Sequence, residues 1–208
     1  FDRAFGPAGA FNAPRLWLVT RAARDEDLRA SIRALGSANE EQVGRYALTS
    51  IAPRVQGRLS TLLDKLTPSY TGQPLVQAGQ RWTSSAVSYV EVAPRPCRIG
   101  GAMRPMLYAH PATGGELRLA FWDVDLGSAL LLFGGIEDSA VLWGGSDVHV
   151  ALHVDGAPTA ELVIQNLPQT SLRTVDTSRW AEGTHRVELV LTTRDDTQRF
   201  TCVDALIL

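Results

Sequence analysis

The sequence predicts an α+β chain: a small N-terminal βαβ-plus-helix unit with a linker over residues 1–80, then an antiparallel β-sandwich, or jelly roll, over 84–208. Three observations predict it. The hydrophobic period changes from helical to alternating near residue 80. Eight short alternating segments follow. Turn material such as Thr113-Gly114-Gly115, Gly144-Gly145-Ser146, Asp155-Gly156 and Glu182-Gly183 separates them at near-regular spacing.

Taken in order, Leu16-Trp17-Leu18-Val19 reads as a short buried strand. Asp25 to Leu35 reads as a helix, with Leu28, Ile32 and Leu35 on one face. Asp25, Glu26 and Asp27 suit its positive N-terminal end, and Gly36 stops it. Gln42 to Ile51 reads as a second strand ended by Pro53, so strand, helix and strand predict a parallel βαβ unit. Val55, Leu59, Leu62, Leu63 and Leu66 form a helical stripe stopped by Pro68. Residues 67–81 are rich in Pro, Gly and Gln and read as a linker.

The expected sandwich strands are Val87 to Val92, Glu116 to Asp123, Ala129 to Phe133, Asp147 to Val154, Ala160 to Ile164, Leu172 to Asp176, His185 to Thr193 and Gln198 to Leu208. Alternation is clearest in the fourth: Val148, Val150, Leu152 and Val154 face one way, His149, Ala151 and His153 the other. That is the pattern of a sheet with one core side and one polar side. Asp155-Gly156 after it predicts a hairpin, because Gly tolerates the positive φ that a type I′ turn requires.

Composition narrows the function classes. A net charge of -2 argues against nucleic acid as partner, since neutralising phosphates needs a basic excess. No apolar run approaches the roughly 18 residues of a spanning helix. The chain begins at Phe1 without a Met or signal-like run, and is expected to be a mature or excised piece. Lys65 stands alone against abundant Arg, the usage of a GC-rich bacterial genome. There is no GxSxG elbow, P-loop or GxGxxG, so no catalytic residue is nominated.

Cys97 and Cys202 match no zinc or CxxC spacing. Cys97 precedes the first long sandwich strand and Cys202 lies in the last, and in jelly rolls these strands commonly pair. The pair is expected to be a disulfide, closing a loop of roughly 105 residues and contributing at most about 4.7 kcal/mol. A bridge implies an oxidising compartment, periplasmic or extracellular; the alternative is two separate buried thiols.

Trp122, Trp143, His149 and His153 are the candidate ligand-binding residues. An exposed indole beside polar groups can stack on a sugar ring while its hydroxyls find partners. His149 and His153 share a strand face about 13 Å apart, too far to hold one metal ion. Acidic pairs at Asp123/Asp125, Glu137/Asp138 and Asp195/Asp196 could serve hydrolysis or calcium, but loop carboxylates are usually solvated. Asp204 lies in an apolar terminal strand and requires a partner or a cation.

Two resemblances add to this reading. Val154-Asp155-Gly156, Leu172 to Asp176, Ala181-Glu182-Gly183-Thr184-His185-Arg186-Val187-Glu188-Leu189 and Val203-Asp204-Ala205-Leu206-Ile207-Leu208 carry a resemblance of the stretch from about Cys97 to Leu208 to galactose-binding-like jelly rolls, the fold of many carbohydrate-binding modules. That resemblance covers about half the chain and implies a structural calcium at Asp204. Ala13-Pro14-Arg15-Leu16-Trp17-Leu18-Val19, then a helix, Gly36 and another strand, resemble the periplasmic tail of bacterial polyprenyl-phosphate-sugar-dependent membrane glycosyltransferases. This second resemblance implies tethering to a membrane domain that carries the catalysis. The expected function is a non-catalytic extracytoplasmic module for a glycan or cell-envelope polysaccharide. A structural or protein-interaction sandwich without a sugar site is the alternative, and a hydrolase the lesser one.

Overall fold

The computed structural model describes residues 16–21, 36–53 and 55–208. Three strands come first: β1 (Leu16–Arg21), β2 (Gly36–Val43) and β3 (Tyr46–Pro53). They pair antiparallel in the order β1-β3-β2, with Leu16 opposite Ile51. The expected second strand is in fact a hairpin, because Gly44 at φ +61 turns the chain between Val43 and Tyr46. The parallel βαβ pairing is thereby corrected. The expected helix from Asp25 to Leu35 lies outside the described residues.

The pattern predicts a helix and a linker for the next stretch, and it is neither. It runs as β4 (Gly57–Arg58), two 3₁₀ turns at Leu59–Thr61 and Leu63–Lys65, then β5 (Leu66–Tyr70), β6 (Gln73–Pro74), β7 (Val76–Ala78) and β8 (Arg81–Thr83). Leu59 is fully buried, with Leu62 and Leu63 packed on the same core. The leucine stripe records burial by tight turns, with no α-helix beneath it. Strands of both sheets therefore begin well before residue 84.

The remaining strands are β9 (Glu91–Ile99), β10 (Ala102–Ala109), β11 (Leu117–Asp125), β12 (Ala129–Ile136) and β13 (Val148–Val154). They are followed by β14 (Ala157–Ile164), β15 (Ser171–Asp176), β16 (Thr184–Thr193) and β17 (Thr201–Ile207). An eight-stranded sheet runs β15-β12-β17-β10-β9-β8-β7, with β4 also on β17. A six-stranded sheet runs β14-β13-β16-β11-β5-β6. Among the described residues all strand pairs are antiparallel and successive strands mostly change sheet, which makes the molecule a β-sandwich of jelly-roll type.

Strand β13 is buried at alternate positions, as its pattern requires: Val148, Val150, Leu152 and Val154 are at 0% exposure. They meet Leu130 and Leu132 of β12 and Val203 and Ile207 of β17 in one core. Asp155 (φ +52) and Gly156 (φ +79) make the expected turn, both in the left-handed region.

A second apolar cluster lies on the outer side of the eight-stranded sheet. It contains Cys97, Ile99, Met106, Tyr108, Leu131, Phe133, Cys202 and Leu206. The tip of the β9–β10 hairpin folds over it. A Cβ at Gly135 would lie 2.7 Å from Ile99 Cγ2, so glycine is what admits the contact. Gly100 and Gly101 donate their N–H groups to the Asp138 carboxylate at 2.7 and 2.8 Å, and the Cys97–Cys202 disulfide joins the hairpin to β17.

Candidate functional site

The six-stranded sheet turns a polar side outward. Strand register sets a row across it, His153 opposite Glu188, Glu188 opposite Ala120, Ala120 opposite Thr67. Trp122 stands beside this row, where a bulge between Phe121 and Val124 breaks the ladder and Asp123 takes φ +52. The residue is 44% exposed, its Nε1–H donates to Thr67 Oγ1 at 2.7 Å, and the Arg186 guanidinium lies over the ring, 4.5 Å from its centroid. Arg186 and Arg118 both donate to Glu188 Oε1, at 2.6 and 3.2 Å, and Arg118 also reaches Glu116 at 3.3 Å. Glu188 is only 2% exposed, so its charge is held by the two guanidiniums. An open indole therefore sits among fixed donors and acceptors on rigid strands.

Only part of the nominated set meets there. Trp122 and His153 share one end of the face. His149 lies further along β13 and pairs with Glu161, Nδ1 to Oε1 at 2.7 Å. Trp143 belongs to the opposite end, on the loop between the one-turn helix Asp138–Val141 and β13. Arg186 beside Trp122 and Thr193 beside the Trp143 loop are seven residues apart on β16, about 23 Å.

That opposite end contains a network the sequence did not announce. Ser146 Oγ meets Thr193 Oγ1 at 2.8 Å and accepts from the Asp195 N–H at 2.8 Å. Arg199 is buried beneath this loop, while Trp143 is 70% and Leu142 88% exposed on top of it. Nearby, Asp196 accepts from the Tyr89 hydroxyl at 2.6 Å and from the Thr113 N–H at 2.9 Å. The other acidic residues nominated at this end are also engaged: Glu137 with Arg95, Asp138 with Gly100 and Gly101, Asp195 with the Thr197 N–H.

Two histidines are shifted in opposite directions. His185 has Nδ1 on Asp155 Oδ2 at 2.7 Å and Nε2 on the Glu182 carbonyl at 3.0 Å, so both nitrogens face acceptors. The Asp155 hydrogen bond raises its pKa above the ordinary 6.5. His110 is buried against Phe200 and Tyr89, and burial lowers its pKa below that value. The stability His185 contributes is present below its unfolded value and is lost as pH rises through its folded one. The His110 contribution is present above the unfolded value and is lost as pH falls through its folded one. An NMR titration should find the two on opposite sides of 6.5, with Asp155→Asn lowering His185 alone. Overlapping curves would contradict both placements.

Asp204, assigned by resemblance to calcium, is occupied otherwise. It is fully buried; Arg58 Nε donates to Oδ2, and the Ser60 and Ala205 N–H groups donate to Oδ1, each at 2.9 Å. A guanidinium on the carboxylate repels a cation, so the calcium expectation is replaced by an internal ion pair. Burial raises the Asp204 pKa, against the opposing pull of Arg58. Among the described residues, the cluster with metal-ligand spacing is Cys97, Glu137 and Cys202, and its two sulfurs are bonded to each other.

No family model and no curated protein matches the chain. Solved structures do resemble it. One holds the CBM51-2 and INT domains of ZmpB from Clostridium perfringens, at 15% identity and TM-score 0.44 over 82% of this chain and 36% of that one. The chain therefore spans about a third of the length of that structure. Another is CBM51 from Clostridium perfringens GH95 in complex with methyl-galactose, at 11% identity and TM-score 0.43, covering 67% of this chain and 99% of that one. A third is CBM35 from Cellvibrio japonicus Abf62, at 15% identity and TM-score 0.35, covering 68% and 94%.

Proposed function

We propose that the chain is a non-catalytic, extracytoplasmic carbohydrate-recognition module that takes a glycan or cell-envelope polysaccharide on the outer face of its six-stranded sheet. The observation that carries this reading is Trp122, an exposed indole fixed by Thr67 and Arg186 beside the Glu188, Arg118 and His153 row. Sugars present an apolar C–H face and a rim of hydroxyls, and this surface offers a stacking plane and a rim of donors and acceptors. The buried Cys97–Cys202 bridge supports an oxidising location, periplasmic or extracellular. We further read the module as the C-terminal periplasmic region of a membrane glycosyltransferase. That reading rests on the resemblance of the first fifty residues, and the antiparallel β1–β3 pair departs from the βαβ part of it. A run of membrane helices in the native protein upstream of Phe1 would support it.

Calorimetry or a glycan array on the wild type, Trp122→Ala and Trp143→Ala tests the site. Affinity is expected between about micromolar and millimolar, about -8 to -4 kcal/mol. Loss of the Trp122 ring should weaken neutral-glycan binding by about tenfold, the worth of an aromatic contact. Trp143→Ala should leave it unchanged, because that ring is at the other end of the sheet. Absence of glycan binding at millimolar concentration would favour the structural or protein-interaction alternative. Binding indifferent to Trp122 would move the site elsewhere.

A further inference from the structure

We propose that the end of the sandwich built from the 142–147, 165–170 and 194–200 loops is a second binding site, for a carboxylate-bearing saccharide, with Arg199 as its cation and Trp143 as its stacking plane. The saccharide half of this proposal rests on the carbohydrate reading above; the anion half does not.

Arg199 is at 0% exposure, among the largest fully buried side chains described. Its Nε donates to the Thr197 carbonyl at 2.9 Å, and its Nη1 to the Ser146 carbonyl at 3.2 Å and Asn166 Oδ1 at 2.9 Å. All three acceptors are neutral. Nη2 is buried with no partner. The carboxylates acting on this cation from nearby loops are turned to other donors. Asp147 Oδ1 accepts the Asn166 N–H at 3.0 Å, and Asp195 Oδ1 the Thr197 N–H at 3.0 Å. A guanidinium taken out of water without an anion is costly, and a purely structural arginine would be expected to have a carboxylate beside it. The unpaired Nη2 is the place for one supplied from outside.

The cover over Nη2 is thin. A Cβ on Gly145 would stand 2.5 Å from Arg199 Cζ and 2.6 Å from Nη2, so the bare Gly145 backbone rests on the guanidinium. Gly144 and Gly145 hold φ +78 and +99, conformations that suit glycine and that two adjacent glycines leave easily. Displacing that peptide opens Nη2 to the surface where Trp143 stands 70% exposed. A carboxylate can then take the Nη2 N–H groups as a charge-assisted pair while the sugar ring lies on the indole. Phosphate shares the anion chemistry without a ring to stack, which makes it the discriminating probe.

The test is titration of the ¹⁵N-labelled full chain with sodium glucuronate, glucose and inorganic phosphate. Glucuronate should move the Arg199 Nε–H and Trp143 indole N–H resonances, and glucose at equal concentration should not move Arg199. Trp143→Ala should weaken glucuronate by about three- to tenfold and leave any phosphate response unchanged. Arg199→Lys, checked for folding by its spectrum, should weaken glucuronate by about tenfold or more, the loss of a charge-assisted pair. Trp122→Ala should have no effect here, which separates this site from the sheet face. An Arg199 resonance indifferent to both anions overturns the proposal. An equal response to phosphate and glucuronate, without dependence on Trp143, overturns its saccharide half. Glucuronate binding that persists in a folded Arg199→Lys protein at full strength overturns the role of the cation.

Discussion

Replacing Cys97 and Cys202 together by alanine is expected to lower the unfolding free energy by about 2–5 kcal/mol. The bridge joins residues 105 apart in sequence, so opening it releases about half of the 208-residue chain in the unfolded state. In the folded state it anchors the β9–β10 hairpin, whose tip otherwise rests on Ile99 against Gly135 and on two N–H groups donated to Asp138. Both cysteines are at 0% exposure, so truncation also leaves a small void in the cluster of Met106, Tyr108 and Phe133. Urea unfolding of the double variant and the wild type measures the loss. Hydrogen exchange should show β9 and β10 opening before β13 and β16. A loss below about 1 kcal/mol would mean that the hairpin holds itself down. Protein made in a reducing cytosol should behave like the double variant.

The legible parts of the fold are those where burial alone sets the pattern. Asp147 to Val154 alternates because one side of β13 packs on the core and the other meets solvent, and the Asp155-Gly156 turn follows from its two left-handed residues. Pro94, Pro96 and Pro105 hide the β9–β10 hairpin, since proline argues against strands. In the register observed, Pro96 faces Pro105 and Pro94 faces Leu107, which puts all three outside the hydrogen-bonded pairs of this hairpin. The missing donors point to where β8 has ended and where β10 has parted from β17, so no ladder bond is lost. The Val55 to Leu66 stripe misleads because Leu59, Leu62 and Leu63 can be buried as well by two 3₁₀ turns as by a helix. Strand parity places Trp122, His149 and His153 on the outer face, but parity does not say which end of a sheet a residue occupies. That is why the pattern alone groups His149 and Trp143 with Trp122. By alternation Arg199 belongs to the final strand, yet that strand begins only at Thr201; the burial of Arg199 depends on loops brought together by three different strand pairs.

Arg58→Met is expected to cost about 3–5 kcal/mol at neutral pH, the penalty for leaving a buried carboxylate without its cation. Asp204 is at 0% exposure and Arg58 at 13%, at the rim of a cleft of about 540 Å³ between β4 and the β9–β10 hairpin. The pair fixes β4 to β17, where Arg58 stands opposite Leu206, and the Ser60 N–H completes the shell of the carboxylate. Burial already raises the Asp204 pKa; removing Arg58, the chief opposing influence, raises it further. A carboxyl raised above its unfolded value contributes stability below that value and loses it as pH rises through the folded one. The variant should therefore be least stable, relative to wild type, at neutral pH and recover on acidification as Asp204 takes up a proton. The reverse single change, Asp204→Leu, leaves Arg58 close enough to the cleft to find water and should cost less than Arg58→Met. Removing both charges, Arg58→Met with Asp204→Leu, should restore a large part of the loss, because well-packed apolar groups commonly replace a buried ion pair at little net cost. Urea unfolding of the four proteins over a series of pH values from acidic to neutral closes the cycle. A double variant no better than Arg58→Met would show that the pair contributes more than charge neutralisation. A pH-independent deficit in Arg58→Met would show that Asp204 stays neutral with or without its partner.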